Sequence, residues 1–167
     1  MNAREWQQFA VWLHATAPSG WVRYWPWTWP ICETLHFIGL SLLVGVIGML
    51  DMRLMGFMKR IPLQALRPLL PYGIAGFIVN LITGVIFFVG APEQYVTNIA
   101  WWMKMLFLVI SGLNVLWFET TQGHRALAIG PDEEMPIPFK IAGAVSLCSW
   151  FMVLYWGRML PFIGNAF

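Results

Sequence analysis

Four long apolar segments constrain the fold of this chain more than any other feature. They run from Ile31 to Phe57, from Leu69 to Val89, from Ile99 to Phe118 and from Ile137 to Leu160. A hydrocarbon core of about 30 Å needs roughly 20 apolar residues per helix, so each segment is long enough to cross a membrane. We therefore predict an all-α, integral membrane four-helix bundle with short connecting loops.

The composition excludes several other classes of protein. Of 167 residues, 59% are hydrophobic and 11% charged, unlike a soluble domain. The net charge of +2 is too small to predict nucleic-acid binding. Cys32 and Cys148 fall at different depths and belong to no CxxC pattern, so no disulfide framework or zinc motif is predicted. The expected partners are membrane lipid and either other membrane subunits or a second copy of this chain.

The segment before the first span, residues 1–30, is predicted to form a separate interfacial region ahead of the bundle at 31–167. Phe9, Trp12 and Leu13 fall at helical spacing, so we expect an amphipathic surface helix with this face at the lipid boundary. A non-helical aromatic belt is predicted to follow, formed by Trp21, Trp25, Trp27 and Trp29 with Pro26 and Pro30.

Polar residues within the spans fall into two layers, counted at about 1.5 Å per helical residue. The outer layer contains Glu33, His36, Lys104 and Arg158, and the inner layer contains Asp51, Arg53, Asn114 and Glu119, with Asn80 nearer mid-membrane. Intramembrane charges are costly unless they are paired, so we interpret the outer carboxylate and cations as an ion-paired cluster that fixes the helices. The asparagines are expected to hydrogen-bond between helices. A polar route for protons or ions is the alternative.

His36 is the strongest candidate for a functional site. An ionisable side chain inside an apolar span is a functional hypothesis by default, and an imidazole can ligate a metal or the iron of haem b. His14, on the same outer side, is the candidate second ligand, while Glu33 or a backbone carbonyl would orient the His36 ring. The alternative is a hydrogen-bonded helix contact. His124 falls in an inner loop and is expected to be solvated.

Methionines recur at the inner end of the first span, at Met49, Met52, Met55 and Met58. Thioethers bind Cu(I), which makes copper handling an alternative. Methionine is also an adaptable packing residue, and a spacing of three drifts around a helix.

The two ends of the first span carry a distinctive set of residues. It begins with Pro30, Glu33, Leu35 and His36, and it ends with Asp51-Met52-Arg53-Leu54-Met55-Gly56. This pattern resembles a family of small four-helix bacterial inner-membrane proteins with a domain of unknown function, whose first helix runs from Pro-x-x-Glu-x-Leu-His to Asp-Leu-Arg-Leu-x-Gly. Further matches are Gly76-Phe77, Thr83-Gly84, Lys104, Gly112-Leu113-Asn114, Ser146, Trp150 and Gly157-Arg158.

The resemblance implies a bacterial inner-membrane protein. In architecture the chain is also distantly similar to cytochrome b561-like and CopD-like bundles, which implies haem b and electron transfer at the periplasmic side. Many family members have a histidine after an Asn-x-x-x-Phe stretch in the third helix. Here Asn114 and Phe118 lead to Glu119 instead, which removes one expected haem ligand.

Three functional hypotheses follow. The first is a haem-binding electron-transfer subunit, and the second is a non-catalytic structural or docking subunit of a membrane complex. The third, a carrier for protons, copper or a small solute, ranks last because no pair of broken spans is evident. No catalytic residue is assigned.

Basic residues predict the orientation of the chain. Six of the ten lie on the side of the first loop, at Arg53, Lys59, Arg60, Arg67, Arg125 and Lys140, against Arg4, Arg23, Lys104 and Arg158 on the other side. Because basic loops remain in the cytoplasm, both termini are expected to be periplasmic. A topology reporter fused after Arg60 should be cytoplasmic and one fused after Phe167 external. The opposite pattern would invert every assignment of side.

Overall fold

The computed structural model describes residues 2–126 and 128–163 of the chain. All of the regular elements in these residues are helical, which confirms the predicted all-α fold. The sequence predictions that concern residues 1, 127 and 164–167, including the start of the interfacial region and the end of the bundle region, lie outside the described residues.

Two short helices precede the bundle, α1 (Ala3–His14) and α2 (Ala17–Tyr24). The first loop carries α4 (Leu63–Leu66) and a 3-10 turn (Arg67–Leu69), the second carries α6 (Pro92–Val96), and the third carries α8 (Gly123–Ala126). The long helices are α3 (Thr28–Leu54), α5 (Leu70–Gly90), α7 (Ile99–Thr121) and α9 (Ile137–Met159). Four helical segments are long and apolar enough to cross a membrane, as predicted.

The first span lies three residues earlier than predicted, at Thr28–Leu54 rather than 31–57. Pro30 does not delay the helix, because a proline in the first turn sacrifices no helical hydrogen bond. Gly56 ends it, with a φ of +97°. Its N–H donates to Arg53 O at 3.0 Å and the N–H of Phe57 donates to Met52 O at 3.0 Å, the pattern of a Schellman cap.

The aromatic belt is not entirely non-helical, which corrects the sequence prediction. Trp21 lies within α2 and Trp29 within α3, while Trp25 and Trp27 lie in the turn between these helices. The prediction was wrong because Pro18, like Pro30, occupies the first turn of a helix instead of ending one.

The surface helix α1 folds over the outer end of the bundle and packs on α6. Ala10 is fully buried there, and the ring of Trp6 lies 5.1 Å from that of Trp102 in an edge-on contact. The helix face that was predicted to contact lipid is therefore only partly exposed. Phe9 and Leu13 are half-buried, while Trp12 is 62% exposed.

Glycine allows the closest helix contact, between α3 and α5. A Cβ atom added to Gly76 would lie 2.6 Å from the carbonyl oxygen of Gly39, and one added to Gly39 would lie 2.8 Å from the carbonyl oxygen of Gly76. The two backbones therefore touch, as small residues allow in membrane helix pairs.

The helices α7 and α9 form the second hairpin, and α9 also packs on α3. A Cβ on Gly143 would lie 2.7 Å from the carbonyl oxygen of Asp51, so the contact between α3 and α9 also depends on a glycine. The spans thus form two hairpins joined through α3.

Arg53 joins the loops at the inner end of the bundle. Its side chain is fully buried, and its Nε donates to Ile61 O at 2.7 Å while Nη2 reaches Gly130 O at 3.3 Å. The Lys59 Nζ lies 3.0 Å from the Glu134 carboxylate, and this hydrogen bond and charge lower the pKa of Glu134. We assign Arg53 a structural role, since its contacts are backbone carbonyls of two loops.

The glycine contact generates a test with a matched control. Gly76→Ala should lower the free energy of unfolding by about 1–3 kcal/mol, because its Cβ would force α3 and α5 apart. Gly84→Ala, on the same helix with open space around it, should be neutral or slightly stabilising. Unfolding of both variants in a mixed-detergent titration would measure this difference. Equal stability of the two variants would contradict the close packing.

Candidate functional site

His36 projects from α3 toward α5 in the outer third of the bundle. Its Nδ1 lies 2.7 Å from the Oγ1 of Thr83, and its ring is half-buried. The same face of α3 carries Gly39 one turn deeper, so the close approach of the two helices brings the imidazole within hydrogen-bonding distance of α5.

The hydrogen bonds of Thr83 determine which nitrogen of His36 carries the proton. Thr83 Oγ1 lies 2.7 Å from Val79 O of its own helix, and a hydroxyl has a single hydrogen to donate. We assign that hydrogen to the Val79 carbonyl, which makes Thr83 Oγ1 the acceptor and His36 Nδ1–H the donor. The Nε2 atom then keeps its lone pair, the state in which a histidine binds a metal.

Aromatic rings surround the imidazole on its outer side. The Phe87 ring lies 5.7 Å from the His36 ring, and Trp29 stacks on Phe87 at 5.0 Å with an interplanar angle of 12°. Phe87 and Trp29 are nearer than Thr83 and His36 to the outer ends of α5 and α3, so the imidazole has an aromatic neighbour on that side.

His14 lies at the outer surface, where its Nδ1 makes an ion-pair contact but no hydrogen bond among the described residues. Its Nδ1 lies 2.7 Å from the Oε1 of Glu93 on α6. The peptide oxygen of His14 accepts a hydrogen bond from Arg23 Nη2 at 2.9 Å, which joins α1 to α2. His14 and His36 therefore both lie at the outer end, and each has an oxygen beside its Nδ1.

Tyr95 lies in α6, in the loop between α5 and α7. Its ring packs against Phe88, with the two ring centroids 5.9 Å apart. Burial raises the pKa of Tyr95 to about 12, so the hydroxyl stays protonated throughout the physiological range.

The predicted ion-paired cluster of the outer layer is not present in the described part of the chain. Glu33 is exposed and makes no ion pair there. Arg158 is exposed as well, with its guanidinium 5.0 Å from the ring centroid of Phe162. Lys104 instead packs against α9, with its Nζ 3.7 Å from the position of a Cβ on Gly157. Equal depth was the basis of the prediction, but these side chains point in different directions around their helices.

Asp51 is buried where α3 meets α9. It accepts a hydrogen bond from Ser146, and its Oδ2 has no partner among the described residues. It does not pair with Arg53, because the guanidinium turns to the loop carbonyls.

The two asparagines differ in their contacts. Asn114 Nδ2 donates to Ala142 O at 3.0 Å, which confirms its expected role between α7 and α9. Asn80 Nδ2 instead donates to Gly76 O of its own helix at 2.9 Å, so the prediction for this residue was wrong. Glu119 is exposed at the inner end, where its Oε2 lies 3.9 Å from Arg67 Nη2.

The methionine spacing gives no converging set of sulfur ligands. Met49, Met52 and Met58 are exposed along the inner half of α3 and the loop after it. Within the described residues, no group of three or more His, Cys, Asp or Glu side chains is arranged to hold a metal ion.

Three residues of the outer site escaped the sequence analysis. Thr83 is hydrogen-bonded to His36 Nδ1, Glu93 lies at ion-pair distance from His14 Nδ1, and Trp156 has a buried Nε1 without a hydrogen-bond partner among the described residues. Thr83 was quoted only as part of a motif, and a threonine in a span ordinarily bonds its own helix. Glu93 follows a proline in a short loop, so its pairing depends on how α1 folds back.

Comparisons with protein-family models, curated proteins and solved structures gave no match to this chain. The resemblance described in the sequence analysis therefore stays a prediction.

The bond between His36 and Thr83 can be tested by substitution. Thr83→Val removes the acceptor of Nδ1–H at nearly constant volume and should lower the free energy of unfolding by about 0.5–2 kcal/mol. Thr83→Ser should restore it. Thr120→Val is the matched control, since that exposed hydroxyl bonds only its own helix. Equal destabilisation by Thr83→Val and Thr120→Val in a detergent unfolding titration would show that the bond adds nothing.

Proposed function

We propose that this chain is a multi-pass subunit of a bacterial inner membrane that binds haem b and takes part in electron transfer at the periplasmic side. His36 is the proposed principal ligand and His14 the proposed second ligand. Both termini are proposed to face the periplasm, which would place the histidines at that side.

One observation carries the proposal: both outer histidines have their Nδ1 atoms beside an oxygen, at 2.7 Å from Thr83 and from Glu93. Ligating histidines usually donate their other ring N–H to a carboxylate, a carbonyl or a similar acceptor. That bond fixes the ring orientation and the tautomer, and it leaves Nε2 as the ligating atom. His36 has such a hydrogen-bonded partner in Thr83, while His14 has the Glu93 carboxylate at ion-pair distance without a hydrogen bond among the described residues.

The surroundings of His36 are also chemically suited to a haem group. Phe87 supplies a flat apolar surface beside the ring, and Trp29 stacks on Phe87. Such surfaces suit a large apolar macrocycle such as haem. His124, the third histidine, is exposed in the inner part of the chain and is not assigned a ligand role.

When bound, haem b would supply one-electron redox chemistry. The chain would hold the iron through its histidines and orient His36 through Thr83. The His14–Glu93 pair would keep α1 fastened over the outer end. No catalytic residue follows from this arrangement, and the electron donor is not specified by it.

A second candidate function is a non-catalytic docking subunit. Large aromatic side chains at the outer end are strongly exposed, with Trp21 at 76% and Tyr24 at 84%. Interfacial lipid accommodates such residues, and so does a partner subunit. Stable association with another membrane protein in the absence of any chromophore would favour this function.

The haem proposal is tested by histidine substitutions in protein purified in mild detergent and supplied with haem b. The wild type should show a Soret band, and His36→Ala and His36→Asn should each lose at least about 10-fold in haem affinity. Asn retains a hydrogen-bonding side chain but cannot replace an iron ligand. His14→Ala should alter the spectrum by removing the second ligand.

His124→Ala is the matched control and should leave the spectrum unchanged. The proposal fails if the wild type takes up no haem, or if the His36 variants bind it as well as the wild type. A purely structural His36 gives a different result, because Asn is then tolerated and Ala lowers stability without any spectral consequence.

A further inference from the structure

The Asp51 carboxyl group is enclosed by protein near the inner end of the central span. It lies three residues before the end of α3, about 5 Å along the helix axis at 1.5 Å per residue. Only 4% of the residue is exposed. Its backbone oxygen faces Gly143 of α9, at a contact too close for a Cβ atom. Asp51 is therefore largely removed from water where α3 meets α9.

No cation among the described residues neutralises Asp51. Arg53 of the same helix donates to the carbonyl groups of two loops instead. Lys140 of α9 has its Cε beside Gly56, beyond the end of α3, and its charge acts on Glu134 in the third loop. A carboxylate at this position would thus have no counter-ion.

The other ionisable groups of the helices around Asp51 are either exposed or distant. α4 has none. The ionisable side chains of α5 and α9 other than Lys140 are all exposed, and they are Tyr72, Cys148, Tyr155 and Arg158. Those of α3 itself lie at its outer end, and they are Cys32, Glu33 and His36.

The carboxyl group of Asp51 is also short of hydrogen-bond donors. Ser146 donates to it, while Oδ2 is buried and has no partner among the described residues. An ionised Asp51 would therefore leave negative charge on a buried oxygen with neither a donor nor a cation beside it. A buried unpaired charge is far more costly than a buried neutral group that lacks one hydrogen bond. The neutral acid is the form that this site tolerates.

A proton fits this site better than a metal ion does. Hard metal ions take about six or more oxygen ligands, and an enclosed site must provide most of them. Ser146 is the partner that the described residues give to the Asp51 side chain. Within those residues, no group of three or more His, Cys, Asp or Glu side chains is arranged to hold a metal. A proton needs neither additional ligands nor a cavity.

We propose that Asp51 is a proton-binding site and that the proton on its Oδ2 holds α3 against α9. When the proton passes to water at the inner surface, it leaves a carboxylate that requires hydration. Water can hydrate Oδ2 only if the two helices separate, because the atom is covered in their contact. Proton binding thereby controls the contact at Gly143. The inference is independent of haem binding, which is assigned to histidines at the outer end.

Carbon-13 NMR tests whether the proton is present. The chain has two aspartates, and the exposed Asp132 is an internal reference for Asp51. Protein labelled at the aspartate carboxyl carbons is placed in lipid bilayers at about pH 6, where an ordinary aspartate is ionised. Asp51 should give the signal of a carboxylic acid and Asp132 that of a carboxylate. Asp132→Asn assigns the two signals and leaves the buried site unchanged. Two carboxylate signals would overturn the inference.

Hydrogen exchange tests whether the proton holds the helices together. Backbone amides of α9 around Gly143 are compared between the wild type and Asp51→Asn, which keeps the side-chain size and is neutral at every pH. The two chains should exchange alike at about pH 6. As the pH rises, the wild type should exchange increasingly faster than Asp51→Asn, by up to about 10-fold per pH unit, the limit for release of one proton. Asp132→Asn is the matched control and should follow the wild type.

Equal exchange of the wild type and Asp51→Asn at every pH would overturn the inference, because the proton would then not control the contact. Where Asp51→Asn does not fold, the wild type provides its own reference. Exchange around Gly143 is then compared with exchange around Gly76, in the contact of α3 with α5. The ratio of the two rates should rise with pH, and a constant ratio would contradict the inference.

Discussion

The outer site depends on the contact of α3 with α5 at Gly39 and Gly76. Without Cβ atoms at these positions, the two backbones approach closely enough for a side chain on α3 to reach a hydroxyl on α5. His36 lies one turn from Gly39, and Thr83 lies two turns from Gly76, so the hydrogen bond between them follows from the glycine contact. In a hydrocarbon environment no water replaces such a bond, and the tautomer of the imidazole is therefore fixed by packing.

The remaining spans extend this arrangement through a single central helix. α3 also meets α9 where Gly143 lies against the Asp51 backbone, and Asn114 joins α9 to α7. The inner end is closed by structural contacts, above all those of Arg53 with two loops. Unpartnered polar groups occur at both ends of the bundle, since the described residues offer no hydrogen-bond partner to Asp51 Oδ2 at the inner end or to the Trp156 indole on α9.

Sequence periodicity and length predicted the fold well, because a span must be long, apolar and helical. The predicted start of the first span was three residues too late, because Pro30 was expected to precede the helix. A proline in the first turn of a helix does not interrupt it. Side-chain pairing was much less predictable. Depth along a helix follows from residue number, but the direction around the bundle depends on which helices touch. This is why Glu33 and Arg158 were assigned an ion pair that they do not form, while the partners Thr83 and Glu93 were missed.

The central claim is that Thr83 holds His36 with its proton on Nδ1, leaving Nε2 as the available nitrogen. Nitrogen-15 NMR of the histidine-labelled protein in lipid bilayers measures this directly, and the chain has three histidines, which substitution can assign. At neutral pH, without ligand, the account predicts a protonated Nδ1 and an unprotonated Nε2 for His36. Added haem should then shift the Nε2 resonance. A proton on Nε2, with Nδ1 accepting from Thr83, would contradict the account.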